Sequence, residues 1–227
     1  GAAPLVLAAD GDPALAVPAI LKGGFYHAGQ VCVSVQRVFA HESLFDGLVA
    51  ALAEGATAQR IGDPVREETE VGPLIRPREV DRVDDWVREA VAAGAVLHAG
   101  GERVGRTAYA CTVLGAPPRE VRVSTQEVFG PVVCVYPFRE LGEAFDQANA
   151  LPLAFQGAVF TRSVDVALHA ARHLDASAVM VNDHTAFRVD GMPFAGLRES
   201  GLGVGGIPHT MRDMRVDKMV VIRSPAL

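Results

Sequence analysis

Three cysteines carry most of the covalent chemistry open to this chain. Cys32 stands in Gly29-Gln30-Val31-Cys32, just past the glycine where a helical run stops and just before the strand-like run Val35 to Ala40. A cysteine in such a turn can be partly exposed, which a nucleophile requires, and its reactive form is the thiolate. Backbone N–H groups in the turn can favour the thiolate and can hold an oxyanion. The plainer alternative is a small buried hydrophobe, a frequent role of free cysteine. Cys111 and Cys134 lie in apolar strand-like runs, Tyr109 to Leu114 and Val132 to Phe138, and read as core residues. The three share no metal-type spacing, so no metal site is expected.

His27 and His41 flank Cys32, so a Cys-His protease pair has to be weighed. His27 precedes the cysteine by five residues. His41 lies beyond the strand, about 20 Å or more away at roughly 3.3 Å per extended residue. Neither spacing matches a cysteine-protease signature. Gly201-Leu202-Gly203-Val204-Gly205-Gly206 fits the pattern of a dinucleotide fingerprint. That fingerprint needs a buried strand before it, a helix after it and an acid further on. Arg198-Glu199-Ser200 precedes the glycines and Ile207-Pro208 follows. Here the glycines read as loop positions with positive φ.

The elements around these residues alternate. Pro4 to Ala9 reads as a short buried strand. Asp12 can cap a helix with Pro13 in its first position, and Pro18 predicts a kink or a late start. Gln36 to Ala40 is a strand, and Ser43 is the expected cap of the helix carrying Leu44, Leu48 and Leu52. A helix starts at Pro77 and ends at Ala93-Gly94, Val96 to His98 is a short strand, and Gly100 to Thr107 reads as a loop. Strands at Ala110 to Leu114 and Val132 to Phe138 flank the segment from Ser124 to Pro131. A helix from Leu141 to Asn149, a strand from Gln156 to Phe160, a helix from Ser163 to Leu174 and a strand from Ala178 to Val181 follow. The last strand expected is Asp217 to Ile222. This alternation predicts an α/β fold, a largely parallel sheet flanked by helices.

Gly29-Gln30-Val31-Cys32, with Phe25, Ala28 and Arg37 around it, resembles the cysteine segment of the NAD(P)-dependent aldehyde dehydrogenase superfamily. Gln126-Glu127-Val128-Phe129-Gly130-Pro131 resembles the family's acid-x-Phe-Gly-Pro motif. Met192 to Gly203 resembles its Pro-Phe-Gly-Gly…Ser-Gly-x-Gly segment, with Ala195 in place of the first glycine and Val204-Gly205-Gly206 as an altered continuation. The resemblance covers nearly the whole chain and identifies it as the C-terminal, cysteine-bearing half of such an enzyme. It implies Cys32 as nucleophile, Glu127 on the nicotinamide ribose and Phe129 beside the nicotinamide of NAD or NADP. Val31, Val33, Phe187, Arg188 and Phe194 are implied to line the substrate site, with Asn182 supporting it. Asp183, His184, Phe187, Arg188, Asp190 and Met192 look most like the lactaldehyde branch, which takes small hydroxy- or anion-bearing aldehydes.

The resemblance also implies what lies outside the chain. The family's general-base glutamate sits in a Glu-aliphatic-Gly-Gly motif that would end at Gly1, and the dinucleotide-binding domain lies further upstream. Residues 1–216 are then the catalytic domain and 217–227 a C-terminal strand that joins subunits into a homodimer or homotetramer. The chain alone is expected to lack turnover. A rival expectation is a half-length scaffold or assembly protein that keeps the fold without the chemistry.

Composition narrows the classes further. With 227 residues, 49% hydrophobic and 21% charged, the chain can build one large core. A net charge of −6 gives no electrostatic support to a nucleic-acid role. No apolar run reaches the roughly 20 residues of a membrane span. The absence of a basic leader and the sparse cysteines point to a reducing, cytoplasmic setting.

Overall fold

The computed structural model describes residues 1–225. The chain enters through strand β1 (Ala3–Leu7) and returns through helix α1 (Pro13–Phe25) to β2 (Val35–His41). Helices α2 (Glu42–Thr57) and α3 (Pro77–Ala92) lead to β3 (Val96–Ala99), β4 (Arg103–Val104), β5 (Ala108–Tyr109) and β6 (Thr112–Gly115). A one-turn helix, α4 (Arg122–Thr125), precedes β7 (Val132–Phe138) and α5 (Leu141–Asn149). Then come β8 (Leu153–Ala154), β9 (Gln156–Phe160), α6 (Val164–His173), β10 (Ala178–Val181), β11 (Leu197–Arg198) and α7 (Ile207–Asp213).

Seven strands form the main sheet in the order β10-β9-β1-β2-β7-β6-β3. Every neighbouring pair is parallel except β3 with β6. The central strands are buried almost throughout, which is why they read as continuous apolar runs. Helices α1 and α2 pack on each other and on β2 and β7, α5 packs on β1, β2 and β7, and α6 packs on β9 and β10. The core between them holds Leu5, Leu7, Ile20, Leu48, Val38 and Phe160.

Local chemistry explains most element ends. Asp12 caps α1, its Oδ1 accepting from the Ala14 N–H at 2.9 Å. The helix starts at Pro13 and runs unbroken through Pro18, against the expected late start. Pro18 and Ala14 are both exposed, so water can take the carbonyl that the missing N–H leaves free. At α2 the cap is His41, whose Nδ1 accepts from the Ser43 N–H at 3.3 Å, two residues earlier than the expected Ser43 cap. The expected loop Gly100 to Thr107 contains β4, which pairs with β5 in a small hairpin.

The expected last strand, Asp217 to Ile222, is absent. Residues 214–224 carry no helix or strand, and Val216, Met219, Val220, Val221 and Ile222 are exposed. A strand forms only against a partner that takes its backbone groups, and among the described residues this segment pairs with none.

Candidate active site

The Cys32 turn is built where α1 stops. Tyr26–Gly29 forms a single tight turn in which His27, Ala28 and Gly29 take φ values of 51°, 55° and 69°. Left-handed backbone costs a residue with a side chain about 1–2 kcal/mol, so the surroundings must hold it. At Gly29 a Cβ would run into the Gly130 carbonyl, and only glycine fits. This contact joins the glycine of the cysteine segment to that of the Glu127–Pro131 segment. Gln30 ties the turn to the connector after α2: its Oε1 accepts from Ile75 N–H at 2.9 Å and its Nε2 donates to the Pro73 carbonyl at 3.2 Å.

Past the cysteine, Ser34 Oγ reaches the Gly23 and Gly24 carbonyls, both at 3.2 Å, near the end of α1. Thr185 Oγ1 donates to the Val33 carbonyl at 2.6 Å. Cys32 is thereby held half-buried, and its own N–H donates to none of the described acceptors. Val31 is half-buried beside it, whereas Val33 is buried beneath the turn.

The other two thiols are unlike it. Burial pushes both Cys111 and Cys134 up to about 12, which leaves them protonated and inert near neutral pH. Tyr26 is also pushed up, first by burial and then by its electrostatic interaction with neighbouring Cys32. Among the described contacts, neither flanking histidine bonds Cys32. His41 spends Nδ1 on Ser43, and His27 is exposed, with its ring tilted against Tyr26.

Glu127 and Phe129 are positioned by a residue that sequence reasoning passed over. Gln36 is 4% exposed, and its Nε2 donates to the Val123 and Gln126 carbonyls at 2.9 and 2.8 Å. Its Oε1 accepts from the Val128 N–H at 2.9 Å. Arg82 Nη2 holds the Val128 carbonyl from the other side at 2.6 Å. Phe129, with φ of 48°, turns outward into an open cleft of about 680 Å³ shared with His27, Gln30, Ile75, Glu79 and Arg82.

Glu127 meets the Gly1 amine, and a Cβ on Gly1 would lie 3.2 Å from the Cys32 carbonyl oxygen. Gly1 therefore touches both the Cys32 turn and Glu127. The entry strand is pinned there by Arg37, which is 3% exposed and donates to the Ala2, Gln147 and Ala148 carbonyls at 3.0, 3.1 and 2.9 Å. Burial lowers Arg37 to about 10, so it stays charged at neutral pH and sits on the negative end of α5.

On the other flank, Phe194 packs edge-on against Phe155 with ring centroids 4.7 Å apart, and Arg188 lies over the Phe194 ring at 4.6 Å. Phe194 exchanges backbone bonds with Gly205. Phe187 is 43% exposed in the same loop. Asn182 sits apart from the thiol's own bonds: its carboxamide bridges the N–H and carbonyl of Thr161, at 2.9 and 3.0 Å, and launches the loop that carries Thr185. His184 packs against Gly23 and is lowered by its burial. In the altered segment, a Cβ at Gly196 would strike the Ser200 carbonyl, but Ala195 is buried without positive φ. The glycines from Gly201 to Gly206 are followed by α7 but preceded only by the two-residue β11, which is exposed and antiparallel to β8.

A family model of the aldehyde dehydrogenase family matches residues 1–220. The chain belongs to the aldehyde dehydrogenase family. Among its relatives, 3-sulfolactaldehyde dehydrogenase of Priestia aryabhattai is 36% identical over 213 residues, covering 94% of this chain and 44% of that protein. Lactaldehyde dehydrogenase of Methanocaldococcus jannaschii is 34% identical over 222 residues, covering 98% of this chain and 47% of that protein. The crystal structure of aldehyde dehydrogenase 21 from Physcomitrella patens, in complex with the reaction product succinate, superposes with a TM-score of 0.90 at 34% identity. It is matched over 94% of this chain and 44% of that one. The chain thus spans less than half the length of these relatives.

Within the family frame, Gln36, Arg37, Arg82 and Thr185 act as supports of the site. Each does so through a contact with a distant segment, and nothing in its immediate neighbours announces it. Among the described residues, no cluster of three or more His, Cys, Asp or Glu could hold a metal ion, and no helix is long and apolar enough to cross a membrane.

Proposed function

We propose that this chain is the cysteine-bearing catalytic domain of an NAD(P)-dependent aldehyde dehydrogenase that converts a small aldehyde of the lactaldehyde type to its acid. The observation that carries the reading is the half-buried Cys32, held in a strained left-handed turn that closes against Gly130 of the Glu127–Pro131 segment.

Cys32 thiolate adds to the aldehyde carbon and forms a C–S bond, giving a thiohemiacetal. The unengaged Cys32 N–H is placed to meet the oxyanion. The nicotinamide, when bound, supplies the acceptor for the hydride. Cys32 then carries the acyl group as a thioester, which water cleaves to release the acid and the thiol. The cleft beside Phe129 has room for a ring: Phe129 offers an aromatic face, and Arg82 an Nη1 that is buried without a partner among the described residues.

The base that activates water belongs to the residues that would precede Gly1. Gly1 abuts the Cys32 carbonyl, which brings the point where such residues would join close to the Cys32 turn. NAD or NADP would be bound mainly by a dinucleotide-binding domain in the rest of the protein, with assembly through residues 217–227.

The test is aldehyde-dependent NAD(P)H formation by a protein carrying this sequence behind the segment that completes its relatives' length, beside its Cys32→Ser variant. Turnover that the variant loses supports the reading. Turnover that survives in the variant, or none with any small aldehyde, refutes it.

A further inference from the structure

Helix α6 carries a pair of imidazoles that the Cys32 site does not use. His169 and His173 are four residues apart, which puts both side chains on one face of the helix. Their ring centroids are 3.9 Å apart, and both residues are exposed. Buried Phe145, on α5, backs the pair, with its centroid 5.5 Å from that of His169 and 6.3 Å from that of His173.

A hydrogen bond sets the ring chemistry. His173 Nδ1 lies 2.9 Å from the His169 carbonyl oxygen. A carbonyl only accepts, so Nδ1 carries the proton and Nε2 of the neutral ring keeps its lone pair. Metal-ligating histidines have this arrangement, with the second nitrogen donating to a carbonyl or carboxylate. The backbone of His173 is fixed as well: its carbonyl accepts from Asn149 Nδ2 at 2.6 Å, and Asn149 Oδ1 accepts from the Asp175 N–H at 2.9 Å. The His169 ring makes no hydrogen bond among the described residues, so it can turn to bring a nitrogen to the same ion. Charge favours a cation here. Asp165 lies one turn before His169 in the same stripe, and His173 stands in the last turn, at the negative end of the helix. Arg172, the adjacent cation, is about 100° round the helix from His173.

We propose that His169 and His173 form a two-imidazole binding site for a divalent transition metal of the nickel, copper and zinc class. Each ring gives one nitrogen, and water fills the remaining positions. Imidazole nitrogen selects these ions over magnesium and calcium, which take oxygen ligands. The bound ion bridges consecutive turns and holds the C-terminal end of α6 against fraying.

The test is a calorimetric titration of the chain with nickel chloride, after Cys32 has been capped with iodoacetamide so that its thiol does not compete. One nickel per chain is expected. Losing even a supporting partner costs a metal site about 10–100-fold, so His169→Gln and His173→Gln are each expected to weaken binding about tenfold or more. His98→Gln, at an exposed histidine on β3, is expected to leave it unchanged. Magnesium chloride is expected to give no binding. Both ligands are exposed, so the substitutions leave the core intact, and circular dichroism checks that each variant keeps its native helix content. A native chain that takes up no nickel at millimolar concentration overturns the proposal. Nickel binding that survives in the double variant also overturns it, since the ion then sits on other groups. Equal binding of magnesium overturns it as well, since the attraction is then to charge and not to imidazole.

Discussion

Gln36→Leu should loosen the candidate site from beneath. Gln36 is a buried strand residue whose amide makes three bonds, two to the carbonyls of Val123 and Gln126 and one from the Val128 N–H. Leucine fills similar space but strands two buried groups, the Val123 carbonyl and the Val128 N–H, while the Gln126 carbonyl is only part-buried. A stranded buried group costs about 1–3 kcal/mol, and the lower part of that range applies where the segment can shift slightly. Leucine's added apolar burial returns about 1 kcal/mol. The net loss is about 3 kcal/mol, which lowers the unfolding midpoint by about 6–12 °C for a chain of this size. Circular dichroism melts of native and variant chains measure it. Gln36→Glu keeps one acceptor and loses both donations, so it should fall at least as far. A Gln36→Leu midpoint within about 1 °C of native would refute the clamp, since even one stranded group shifts it more.

The remaining expectations concern the turn, its neighbours and pH. Gly29→Ala places a methyl against the Gly130 carbonyl at a φ of 69°, so it should cost roughly 3 kcal/mol or more and lower soluble yield, as read by denaturant melts. Gly196→Ala should destabilise by a clash with the Ser200 carbonyl, whereas Ala195→Gly should cost only about 1 kcal/mol, and paired thermal melts separate the two. Burial of His184 lowers it below its usual 6.5, with Asp183 opposing and Lys22 reinforcing. The unfolded chain then binds more protons, so His184's contribution is present above pH 6.5 and is lost as pH falls from there through the lower folded value. Melts across this range should show that slope, and His184→Gln should flatten it.

Most of the fold could be read along the chain because its elements are locally consistent. Val132 to Phe138, Leu141 to Asn149, Gln156 to Phe160 and Ala178 to Val181 appear with the expected bounds, since β-branched runs and helical apolar spacing are local signals. What escaped depends on partners. The β4–β5 hairpin is two residues on each side, too short to show alternation. His41 displaced Ser43 as a cap through its side-chain nitrogen, a donor–acceptor detail that residue type alone does not rank. Asp217 to Ile222 has strand composition, and no described strand lies alongside it.

The site divides in the same way. Cys32, Glu127, Phe129 and Phe194 sit in short recognisable segments, which meet through Gly29 against Gly130, Gly1 against Cys32 and Phe155, and Phe155 against Phe194. Gln36, Arg82 and Thr185 act across separations of 46 to 152 residues, and each looks like an ordinary polar residue in its own stretch. Asn182 has the expected place in sequence, yet its amide is engaged with Thr161, so its effect on the thiol runs through the loop it anchors.

The measurement that bears most directly on the account is protection of Cys32 from iodoacetamide by a small aldehyde, followed peptide by peptide. The account predicts that Cys32 labels first while Cys111 and Cys134, held protonated by burial, stay nearly unlabelled in the folded chain. It also predicts that the aldehyde slows Cys32 labelling in a saturable way, because the thiolate adds to the carbonyl. Labelling of Cys32 that is slow, or fast but indifferent to every aldehyde tried, would contradict a nucleophile shaped for carbonyl attack.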